Sequence, residues 1–78
     1  MITEQQAELL ANQVITDYIT KCSCKDAQDA TNAIAKLVVV SGYAMCAVSD
    51  VKSSVIRLRA TADYIEKENP TFDSYTMQ

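Results

Sequence analysis

Seventy-eight residues make one domain near the lower limit for a self-sufficient hydrophobic core. Ten acidic residues stand against seven basic ones, so the chain lacks the basic excess with which general nucleic-acid binders displace counterions. There is no His to serve as a general base, and one Gly and one Pro leave few corners for a sheet of short strands. Helices are therefore expected throughout.

The opening MITEQQAELL has neither the basic n-region nor the apolar h-region of a secretory signal. Thr3 followed by Gln6 is a capping-box pair, and it predicts a first helix over about 3–20. Ala7, Leu10, Ala11, Val14, Ile15, Tyr18 and Ile19 recur at helical spacing and are its expected core side. Asn12 and Thr16 fall on the expected polar side.

The segment KCSCKD breaks the pattern. Ser23 is the expected cap of a second helix over about 24–48, with Asp26 and Asp29 at the positive end of its dipole. Ala27, Ala30, Ile34, Leu37, Val38, Ser41, Met45 and Val48 form its expected core side. The run Val38-Val39-Val40 carries β-propensity, but the apolar phase persists from Ala27 to Val48, far longer than a strand.

The stretch LVVVSGYAMCAV, residues 37–48, holds no charged side chain. It is shorter than the ~20 apolar residues of a membrane span. At 100° per residue, a stripe through Asp29, Asn32 and Lys36 continues through Val40, Tyr43 and Ala47 to Asp50. The solvent side of the second helix thus becomes apolar for about three turns. Two other helices cannot cover every face of a third, so Val39, Val40, Tyr43 and Ala47 are the expected partner or self-association surface. Beside them, Ala35, Gly42 and Cys46 form a line of small residues that admits the close approach of another helix.

The cap-rich SDVKSS marks a tight turn into a third helix over about 50–69, which Pro70 ends. Val51, Val55, Leu58, Ala62 and Ile65 form a narrow heptad seam. On its back, Ile56, Ala60 and Tyr64 make a short apolar line beside Arg57 and Arg59. Ile56, Arg57, Arg59 and Tyr64 are a candidate second protein-binding patch, against the plainer reading of a solvated face. Residues 70–78 read as a flexible polar tail.

Chemistry is sparse. No phosphate-cradling loop or nucleophile motif occurs. Cys22, Cys24, Cys46 and Asp26 would supply four zinc ligands in number, but without a CxxC pair or a His they are expected to hold no metal. Cys22 is expected at the end of the first core face, Cys24 in the loop, and Cys46 packed as a small hydrophobe. Three cysteines without a signal segment suit a reducing compartment. A helix-turn-helix with Tyr43–Asp50 as recognition helix fails for want of polar side chains to reach base edges.

The expectation is an all-α protein, a small three-helix antiparallel bundle over 1–69 that self-associates through its second helix. It is cytoplasmic, non-catalytic and without a cofactor, and its partners are proteins rather than nucleic acid or membrane. In general character it is similar to accessory proteins of temperate phages and mobile elements, which bind and inhibit host proteins; this is likeness of type and rests on no motif. A homo-oligomeric assembly subunit and a small-ligand or metal binder are the alternatives.

Overall fold

The structure, a computed structural model, describes residues 1–68; the end of the third helix expected at 69 and the tail expected at 70–78 lie outside the described residues. Three helices follow one another, α1 over Glu4–Lys21, α2 over Ala27–Val48 and α3 over Val51–Glu68. The fold is all-α, and no strand occurs among the described residues. The Val38-Val39-Val40 run lies within α2: its β-propensity yields to a helix that continues in phase on both sides.

Each helix start has a side-chain cap. Thr3 accepts from the Gln6 amide at 3.1 Å while the Gln6 side chain accepts from the Thr3 amide at 3.0 Å, a closed capping box. At α2 the cap is Asp26, not Ser23. The Asp26 carboxylate accepts from the Asp29 amide at 2.9 Å, and Asp29 in turn accepts from the Lys25 amide at 3.1 Å. Ser23 instead terminates α1 with φ at 57°, in the left-handed region, its amide donating to the Thr20 carbonyl at 3.1 Å. At α3, Asp50 accepts from the Ser53 amide at 2.7 Å.

The chain divides into two compact units, the first holding Met1–Ile34 and the second beginning at Ala35. In the first, Ile19 and Ala30 are the buried apolar residues. The packed side of α1 is turned from the expected one: Leu10, Ala11 and Val14 are exposed, while Asn12, Ile15, Thr16 and Tyr18 are half-buried. Two hydrogen bonds make this possible. Thr16 Oγ1 donates to the Asn12 carbonyl at 2.9 Å, which satisfies its hydroxyl within the helix. Tyr18 Oη donates to the Ala33 carbonyl of α2 at 2.8 Å, which brings the Tyr18–Ile19 end of α1 against the small residues of early α2.

In the second unit, Gly42 and Ser54 are buried, and Leu37, Met45, Cys46, Val55 and Leu58 are half-buried. Several residues expected inside are outside. Val38, Ser41 and Val48 of α2, like Ala27 in the first unit, are exposed, as are Val51, Ala62 and Ile65 of α3. The reason is the small-residue line. A Cβ built on Gly42 would stand 3.4 Å from Leu58 Cδ1, so α3 packs on the Gly42–Cys46 side of α2, from which Ser41 and Val48 are turned away.

Candidate interaction surface

The middle of α2 presents the apolar stripe to solvent. Tyr43 is 70 % exposed and Val40 54 %, and Val39 and Ala47 are exposed beside them. Lys36 and Asp50 bound the stripe, both exposed. Because the Gly42 side is taken by Leu58, the stripe has no covering element among the described residues of its own unit. Val38 and Val48 are also exposed, but at 100° per residue they lie on sides of α2 turned away from this stripe.

On α3, Ile56, Arg57, Arg59 and Tyr64 are all exposed, with Ala60 between them. Arg57, Ala60, Thr61 and Tyr64 line a shallow open groove. A second open groove lies near the α2–α3 turn, with Met45, Val48 and Ile56 as apolar wall and Ser49, Ser53, Ser54 and Arg57 as polar wall. Arg57 therefore stands between the two grooves.

Sequence reasoning missed Ser54. It is 3 % exposed, and its hydroxyl oxygen is buried without a hydrogen-bond partner among the described residues. The signal was present: Ser54 lies between Val51 and Leu58 on the side facing α2, where an apolar residue would be usual.

Cys22 is exposed rather than ending a core face, and Cys24 and Cys46 are half-buried. Burial pushes the Cys24 thiol up, and the neighbouring Cys22, Asp29 and Asp26 raise it further. A raised thiol is a poor nucleophile and a poor metal ligand at neutral pH. Among the described residues, no three Cys, Asp or Glu side chains are grouped so as to hold a metal ion.

By length and composition α2 is also long and apolar enough to cross a bilayer. The count of consecutive uncharged residues understates it, since the helix runs 22 residues and only 6 % of its most apolar window is buried. No protein-family model, no curated protein and no solved structure matches this chain, so its functional reading rests on these surfaces alone.

Proposed function

We propose that this chain is a non-catalytic protein-association module whose working form is an oligomer, with the α2 stripe covered by another copy. The observation that carries this reading is the imbalance of burial. Fourteen large hydrophobic side chains are exposed among the described residues, while only Ile19 and Ala30 form a buried apolar core. Scattered exposed hydrophobes are ordinary, but contiguous ones on a chain with so little core mark an interface.

Magnitudes favour a shared surface over an isolated contact. Fully burying a large apolar side chain contributes about 1.5–3 kcal/mol. Val39, Val40 and Tyr43 alone would therefore contribute a few kcal/mol per copy, against an association cost of at least about 4 kcal/mol. A pair buries these side chains on both copies, which doubles the gain and brings it above that cost. Sedimentation of the native chain tests this, with Tyr43→Glu beside it. An oligomer that the substitution dissociates is expected; a native chain that stays monomeric at high micromolar concentration overturns the reading.

A second reading, that α2 spans a bilayer, is favoured by its length and exposed apolar surface. The contact with α3 weighs against it. Leu58 lies against Gly42 in the middle of α2, and its near neighbours Arg57 and Arg59 would be carried into hydrocarbon with it. Lys36 would also lie within the span. Flotation with phosphatidylcholine vesicles separates the two readings: protein that stays at the bottom of the gradient supports the soluble oligomer.

A further inference from the structure

We infer that two copies pair through α2 in antiparallel, two-fold fashion, centred on Tyr43, so that Lys36 of each copy faces Asp50 of the other. This rests on the self-association proposed above and specifies its geometry. Lys36 and Asp50 stand seven residues before and seven after Tyr43. For Lys36, within α2, that is almost two full helical turns, about 10 Å along the axis and within about 20° of the direction of Tyr43. Asp50 lies past the end of α2 as the N-cap of α3, so one charge of each sign stands at either end of the stripe, and both are exposed. α2 ends at Val48, but the Ser49 amide still donates to the Met45 carbonyl at 3.0 Å, which carries the helical path to the edge of Asp50.

An isologous pair brings residue i of one copy to residue j of the other and j to i. With the two-fold at Tyr43, both contacts at the ends of the stripe join opposite charges. A parallel pair in the same register sets Lys36 against Lys36 and Asp50 against Asp50, which repels at both ends. Volume points the same way. In the antiparallel pair the Val39–Val40 end of the stripe meets the Ala47 end of the second copy, large against small. The parallel pair sets Val40 on Val40 and Ala47 on Ala47, crowded at one end and hollow at the other. Asp50 carries its charge at neutral pH, because the hydrogen bonds it accepts from Ser53 hold its carboxyl below the usual range.

The test uses sedimentation equilibrium of the full chain with two substitutions, Lys36→Gln and Asp50→Asn. Asn keeps the α3 cap while removing the charge. Each single substitution is expected to weaken the dimer about two- to tenfold, and the double variant little further, because the lost contact is shared. The native dimer is expected to weaken as salt is raised. A dimer that is unchanged or tightens on either substitution, or that tightens with salt, overturns the antiparallel seam while leaving self-association intact. A native chain that is monomeric overturns both. The salt titration needs no variant, so the inference stays testable if one substitution misfolds.

Discussion

The phenol of Tyr18 donates to the main-chain carbonyl of Ala33 at 2.8 Å, a side-chain hydrogen bond that ties α1 to α2 within the first unit. Among its described residues that unit has only Ile19 and Ala30 buried and apolar, so one positioned hydrogen bond matters there. Tyr18→Phe removes the donor, leaves the Ala33 carbonyl only its bond within α2 and is expected to lower Tm by a few degrees. The phenol's pKa is raised, first by desolvation and then by the nearby Cys22. A group raised in the folded state contributes stability that is present below its unfolded pKa of about 10 and lost as pH rises through the folded value. Ultraviolet titration should show one tyrosine ionising late, absent in Tyr18→Phe.

Asp50 behaves oppositely. Its carboxylate accepts from the Ser53 amide at 2.7 Å, and its pKa is lowered chiefly by that bond. Its contribution is present above the unfolded carboxylate pKa and lost as pH falls through the lowered folded value. Melting below pH 4 should therefore fall faster for the native chain than for Asp50→Asn, which caps α3 without a titrating group. Asp50→Ala should lower Tm at neutral pH, because it leaves the Ser53 amide without its side-chain acceptor.

Ser23 holds φ at 57° without being glycine. The left-handed region costs an L-residue about 1–2 kcal/mol, while glycine enters it freely but gives up more entropy on folding. Ser23→Gly is expected to raise stability by about 0.5–1 kcal/mol, and Ser23→Val to lower it by at least as much. Urea melts followed by circular dichroism read the difference. Unchanged midpoints in both variants would show that the turn relaxes at no cost.

Cys22 and Cys24 should differ in reactivity. Cys22 is exposed, whereas Cys24 is half-buried with its thiol raised by desolvation and adjacent acidic groups. Iodoacetamide at pH 7.5 followed by peptide mass mapping is expected to label Cys22 severalfold faster. Equal rates would mean that the loop opens on the labelling timescale.

Helix order and limits were legible in the chain because period and punctuation agreed: the Thr3–Gln6 box and the break at KCSCKD both mark observed helix limits. Which side each helix buries was less legible. Large apolar residues suggested a core through Leu10, Val14, Val38, Val48 and Val51, yet these are exposed. Packing followed small residues instead, Ala30 and Ala33 in one unit and Gly42 and Ser54 in the other, because they let helix backbones approach closely. Hydrophobic phase marks every face that leaves water, whether for the chain's own core or for a partner. The stripe through Val40 and Tyr43 was found because it interrupts a polar line, a signal independent of that ambiguity.

The approach of α3 to α2 gives two substitutions of opposite sign at one contact. Gly42 is buried within a helix, where glycine costs about 1 kcal/mol relative to alanine. An added Cβ would meet only the end of the Leu58 side chain, at 3.4 Å. Gly42→Ala is therefore expected to raise stability by up to about 1 kcal/mol, and Gly42→Leu to wedge the helices apart and cost more than it gains. Ser54, one turn before Leu58 on α3, buries a hydroxyl oxygen without a partner among the described residues. Ser54→Ala keeps the small volume and removes the stranded polar atom, for an expected gain of about 1 kcal/mol. A loss of stability in Ser54→Ala would mean that the hydroxyl finds an acceptor in the folded protein, and would direct attention to the groove that Ser54 lines with Met45, Ile56 and Arg57.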